Sequence, residues 1–312
     1  MHAVAFQLLT ILVAAGDPAA PANSLLTDLV TKGVTMPDGQ IVQLPEPIMA
    51  EGLTAAEEAE VLKRSAPRGN VLEFTSTRSN ALVSLKIGKL PSKQGNDLIR
   101  TINLCFVVYG DWNVLTSDEF SKSILKKDKA KSQNDEASTV TRAGYLKTPE
   151  LAVRGLTTRS TSNSKESFLY TTFKLFDQAE VSATRYGVAT KTPTGVVVAA
   201  RVDPRFARDK EYPNQWRSIT RGGAAVAEFG PPKPYSGAGF YAKVTRLIQP
   251  TNAIFVEYHS TFYEPADWFG AENDKLMPSE LRKIIPYQVQ QFRAKLLIAT
   301  KKAAEKAAEG QK

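Results

Sequence analysis

The chain has 312 residues, 40 of them basic and 32 acidic, for a net charge of +8, with two histidines and one cysteine. One cysteine excludes an internal disulfide, and His259 with Cys105 cannot build a His/Cys zinc site, which needs three or four ligands. The length is sufficient to bury a core without disulfide staples.

Residues 3–15 (AVAFQLLTILVAA) form an uncharged apolar run. It is too short for a bilayer core of ~30 Å, which takes about twenty helical residues. It has the length of a signal-peptide h-region, with Val13-Ala14-Ala15 before Gly16 as the cleavage site, although only the initiator amine and His2 precede it. The expectation is a secreted, periplasmic or cell-envelope protein cut near Ala15; the alternative is a buried N-terminal strand or helix. No second stretch of eighteen apolar residues follows, so no membrane-spanning helix is expected after cleavage.

Residues 16–69 read as a helix/hairpin/helix appendage. Ser24 caps a short helix with Leu25, Leu26, Leu29 and Val30 on one side and Gly33 as its stop. Val34-Thr35-Met36, the Pro37-Asp38-Gly39 turn and residues 41–44 form a hairpin. The Pro-rich stretch 44–48 reads as a lasso rather than core. Thr54 and Glu57 form a capping box that opens a helix over 55–64, before Pro67 and Gly69.

Residues 70–300 form the main unit. Strands are expected over 71–77, 81–87 and 98–109, with a turn over 88–96. Thr116 with Glu119 makes a second capping box for a helix to about Lys126, and 127–138 is a charged loop. Further strands fall at 168–176, 180–189, 196–203, 239–249 and 252–263, the last two joined by Gln249-Pro250-Thr251. Short connections between sequential strands imply an antiparallel meander. Leu281, Ile285, Val289, Phe292, Leu296 and Ala299 recur at spacings of three and four, the stripe of a core-facing helix. Pro286 predicts a kink or restart within it. Residues 301–312 are good helix formers without an apolar anchor and read as a basic tail, helical or frayed. The fold class is α+β: an antiparallel sheet of about six to eight strands with a long C-terminal helix packed on it.

Candidate sites follow from this frame. Glu257 and His259 share a strand face with Phe255, Thr261 and Tyr263. If that face lines a cavity, Glu257 could orient His259 as a general base. No nucleophile-elbow pattern accompanies the pair, and a cross-strand contact is the simpler reading. Cys105, inside the apolar run 102–108, reads as a packed thiol. Arg201, Arg205 and Arg208 could clamp an anion, and ion pairs with Asp203 and Asp209 explain them equally well. The Gly/Pro loop 230–239 leads into a strand rather than a helix, so it is no phosphate cradle; it reads as an edge or lid, and no cofactor is expected. Lys122, Lys126, Lys127, Lys129 and Lys131, with Lys295, Lys301, Lys302, Lys306 and Lys312, make two basic runs. Neither interleaves aromatic side chains as a stacking platform would, so nucleic acid is not the expected partner.

The segments GVTMPDGQIVQLPEPIMAEGLTAAEEAEVL, RVDPRF and PYSGAGFY, and the stretch from EPADWF to QQFRAKL, resemble a group of exported proteins of unknown activity from planctomycete-type bacteria. The resemblance implies export and carries over no catalytic residue. The meander followed by an amphipathic helix is similar to the START-like helix-grip architecture.

Three functions stay open at this point. One is a non-catalytic binding or envelope-associated protein holding an apolar or amphipathic small molecule between sheet and helix, with Phe255, Tyr263, Tyr241, Tyr170, Arg201 and Arg205 as ligand-binding candidates. A second is a structural or interaction protein on anionic envelope polymer. The third is a hydrolase centred on His259. A sheet–helix cavity near ~300 Å³ or more would favour binding over a filled core.

Overall fold

The computed structural model describes residues 23–117, 119–120, 123, 140–221, 227–269 and 275–309. The signal-peptide reading of residues 1–15, the loop 127–138 and most of the helix expected up to Lys126 lie outside these residues.

In chain order the described elements begin with α1 (Ser24–Thr31), β1 (Val34–Thr35), β2 (Ile41–Val42), α2 (Ala55–Ser65) and α3 (Val71–Phe74). They continue with β3 (Ser84–Pro91), β4 (Leu98–Tyr109), α4 (Trp112–Leu115), β5 (Val140–Tyr145), α5 (Thr148–Ala152), β6 (Ser164–Leu175) and β7 (Ala179–Lys191). The remainder is β8 (Gly195–Val202), β9 (Gln215–Arg221), β10 (Ala227–Phe229), β11 (Lys233–Pro234), β12 (Ala238–Arg246), β13 (Ala253–Glu264) and α6 (Leu276–Glu309).

Strands β3 to β13 form an 11-stranded antiparallel sheet, and β1 and β2 form a separate hairpin. The spine runs β5-β6-β7-β8-β12-β13-β4-β3. β9 pairs with the first residues of β7, next to where β8 pairs with the rest, and β10 and β11 both pair with β9. The α+β class and the antiparallel sheet with a long C-terminal helix are therefore present.

Alternation decides the two faces. Leu104 and Phe106 of β4, Val198 and Ala200 of β8, and Val256 and Tyr258 of β13 point to one side. There they meet Leu281, Ile285, Val289, Phe292 and Leu296 of α6. The other face is also covered, which explains strands that read as continuous apolar runs. Leu25 and Leu29 of α1, with Val34, Met36 and Leu44, pack on Tyr241, Ala199 and Ile99. Met49, with Val61 and Leu62 of α2 and Phe74 of α3, packs on Cys105, Val107 and Phe255. The N-terminal elements thus form the second layer of the core.

Local chemistry sets the boundaries. Thr54 and Glu57 make the expected capping box, and Gly33 stops α1 at φ +75°. The cap of α1 is Asn23 rather than Ser24: Asn23 Oδ1 accepts from Leu26 N at 2.9 Å while its Nδ2 donates to Val188 O at 2.9 Å. The strand expected over 71–77 is instead the short helix α3, because the Asn70 side chain accepts from Glu73 N and caps a turn there. Helix α6 is continuous through Pro286, with no restart, and extends to Glu309. Its Arg293 is buried and donates to the carbonyls of Val107 (2.8 Å), Ala81 (2.5 Å) and Leu82 (3.1 Å), tying the helix to the segment before β3. No helix among the described residues is long and apolar enough to cross a membrane.

Candidate functional site

On the helix side the sheet leaves a cavity of about 80 Å³ beneath the first turns of α6. Its floor comes from successive inward positions of adjacent strands: Phe173 on β6, Ala183 and Arg185 on β7, Val202 on β8, Phe240 on β12, and Tyr258 and Phe262 on β13. Register makes these neighbours, since Arg185 lies opposite Val202 and Ala200 lies opposite Phe240. Met277 and Leu281 of α6 roof it, and Tyr235 and Trp268 close one side. Tyr235 belongs to the Gly/Pro loop. Its backbone N–H donates to Asn214 O at 3.1 Å, and its ring packs against Trp268 at 5.7 Å. The loop thus covers this part of the sheet, as its position before a strand suggested.

The wall carries the hydroxyls of Thr171, Ser260, Thr261, Tyr235 and Tyr258, and its charged group is Arg185, which is 7 % exposed. Its Nη2 donates to Thr171 Oγ1 at 3.0 Å, while Nε and Nη1 have no partner among the described residues. Burial pushes its pKa down to about 10, so the guanidinium is charged at neutral pH. Burial also pushes the Tyr258 phenol up to about 12 and raises that of Tyr235, so neither supplies a counter-charge at neutral pH. The Trp268 Nε1–H is likewise buried without a partner among the described residues.

The residues singled out in the sequence fall elsewhere. Tyr241, Tyr263, Phe255 and Tyr170 are core residues on the face away from α6. They cannot line a sheet–helix cavity, because they occupy the opposite phase of the strand alternation. Tyr241 donates to Pro45 O at 2.9 Å, and Tyr263 to Asp97. Arg205 is held by Asp203 in an ion pair at 2.5 Å and lies over the Phe168 ring. Arg201 is half-buried in β8, opposite Gly239 and Tyr186. Asp209 is paired with Arg154 rather than with one of the three arginines, and of these Arg205 has a described ion pair. Sequence reasoning missed Arg185, although a signal was present: Val181, Ala183 and Arg185 share one strand phase, which places a charge in an inward row.

Glu257 and His259 do lie side by side, His259 Nε2 standing 3.6 Å from Glu257 Oε2. The strand is covered rather than half-exposed: Glu257 is 0 % and His259 5 % exposed. The lasso 44–51 closes over them as a strap. Glu257 accepts from Ile48 N at 2.8 Å and Met49 N at 3.3 Å. Lys243 donates to Met49 O at 2.5 Å and pairs with Glu51 at 2.9 Å. His259 Nδ1 lies 2.6 Å from Asn103 Oδ1, and its ring lies against Tyr241 at 4.9 Å. Cys105, directly opposite Glu257 in the ladder, has its thiol pushed up to about 12 by burial and by that carboxylate. A thiol that stays protonated is no nucleophile. This cluster fastens the strap to the sheet.

No protein-family profile matches the chain, and no curated protein matches it significantly.

Proposed function

We propose that this is a non-catalytic binding protein that holds a small amphipathic molecule between its sheet and its C-terminal helix. The observation that carries this reading is the cavity beneath α6, mostly apolar, with a few hydroxyls and one buried charge in its wall. At about 80 Å³ it is well below the ~300 Å³ of a drug-sized ligand site, so a long acyl chain does not fit. An apolar void of about 150 Å³ takes one benzene, so this one, about half as large, suits a molecule of about three or four non-hydrogen atoms. Export to the cell envelope, argued from residues 1–15, remains part of the proposal and is tested by N-terminal sequencing of exported protein, which should begin at or near Gly16.

Trp268 borders the cavity and reports its occupancy. Propan-1-ol or acetate, each of four non-hydrogen atoms, at millimolar concentration should shift the tryptophan emission and raise the melting temperature of the wild-type protein, because a ligand that binds the folded state stabilises it. Ala183→Leu, which places extra carbons in the same space, should abolish both responses with circular dichroism unchanged. Absence of both responses in the wild type, for both compounds, would remove the binding function.

A further inference from the structure

We infer that the ligand of this cavity is a small monocarboxylate whose carboxylate is held by Arg185. This rests on the binding function proposed above and adds the charge and chemical class of the occupant.

Arg185 is more than nine-tenths buried, it faces the cavity, and one of its five N–H donors has a described partner. An isolated buried guanidinium is unfavourable: it cannot shed its proton as a lysine can, and no described carboxylate pairs with it. The other buried arginines show what a satisfied guanidinium looks like here. Arg100 makes a two-pronged pair with Glu264, its Nε at 2.5 Å and Nη2 at 2.9 Å, and Arg293 spends its donors on backbone carbonyls. At Arg185 that complement is missing while open space adjoins it. A planar carboxylate matches the guanidinium fork with two parallel N–H···O bonds. The apolar part of the wall, Phe173, Val202, Phe240 and Leu281, asks for an apolar tail, and the volume limits that tail to one or two carbons.

Isothermal titration of the full chain with acetate and with propan-1-ol, which have the same number of non-hydrogen atoms, separates charge from size. Acetate is expected to bind wild-type protein at least tenfold more tightly than the alcohol. Arg185→Met should erase that preference while leaving the alcohol affinity within about twofold, and Arg185→Lys should retain part of it. The ligand-free Arg185→Met protein should melt higher than wild type, since an uncompensated buried charge has been replaced by an apolar chain. Equal affinity for acid and alcohol in the wild type would overturn the inference and leave the binding function standing. So would a melting temperature of Arg185→Met at or below that of wild type, which would mean the guanidinium is already satisfied in the empty protein. If neither compound binds, both fail together.

Discussion

At the scale of single residues, Glu257 shows how a buried carboxylate can be committed to structure. Its acceptor capacity goes to two strap amides, so it is not an open base. His259→Gln keeps a hydrogen-bonding side chain beside Asn103 and should cost about 1 kcal/mol, read as a small shift in the urea midpoint. It should leave acetate binding unchanged. Glu257→Ala leaves the Ile48 and Met49 amides without their acceptor and should cost about 2–4 kcal/mol, with faster amide exchange at both positions. A hydrolytic activity of the wild type that His259→Gln abolishes with the fold intact would revive the enzyme reading. Asp209 sets a pH dependence. Two-pronged bonding to Arg154, with the Tyr212 and Glu211 amides, holds its carboxyl down to about 2. A depressed carboxyl stabilises above its unfolded pKa of about 3.9, and that contribution is lost as pH falls through the folded value. Wild type should therefore lose on the order of 1 kcal/mol between about pH 4 and pH 2 that Asp209→Asn does not, after discounting for solvent at this edge. The sequence showed which residues were adjacent on a strand; it could not show which carboxylate a distant arginine or a strap amide would claim.

Elements were legible where a local signal sufficed. The Thr54–Glu57 box, the stop at Gly33 and the spacing of Leu281, Ile285, Val289 and Leu296 are each complete within a single short stretch of chain, and each formed. The segments β5, β9, β10 and β11 carry weaker patterns. They are strands because a neighbour offers an edge, as β9 does to Lys233 and Pro234 through Trp216 and Gln215. In the same way 71–74 carries apolar residues that fit either state, and the Asn70 cap with buried Phe74 and exposed Leu72 selects a helical turn. The β8–β12 contact depends on a residue without a side chain. A Cβ on Gly195 would stand 1.9 Å from Val244 O, a backbone atom that cannot swing aside. Gly195→Ala should therefore force the strands apart and destabilise by at least ~2 kcal/mol, at the upper side of ordinary overpacking costs. Chemical denaturation of the purified variant measures this directly, and a loss under about 0.5 kcal/mol, the range of a neutral surface change, would contradict it.

At the scale of the whole molecule, the sheet is a middle layer with α6 on one side and residues 23–74 on the other. The first side was readable because its helix repeats at a fixed period. The second was not, because it is built from short pieces and a strap whose contacts span some two hundred positions, such as Ile48 to Glu257. What looks like an appendage in sequence order therefore supplies core: Leu29, Met49 and Phe74 are all fully buried. Residues 301–309 are the reverse case, helical but exposed throughout. The two ends should respond oppositely to removal. A chain beginning at Ser76 uncovers Tyr241, Val107 and Phe255 and leaves Glu257 and Lys243 without the strap that accepts and donates their bonds. It should aggregate, or, if refolded, bind a hydrophobic dye and melt without a cooperative transition, since a large contiguous apolar face has been exposed. A chain ending at Thr300 loses no buried residue among those described and should melt within about 2 °C of wild type. Cooperative unfolding and an unchanged near-ultraviolet dichroism spectrum in the chain that begins at Ser76 would show instead that sheet and α6 are sufficient, and that the N-terminal layer is an addition to a core already complete.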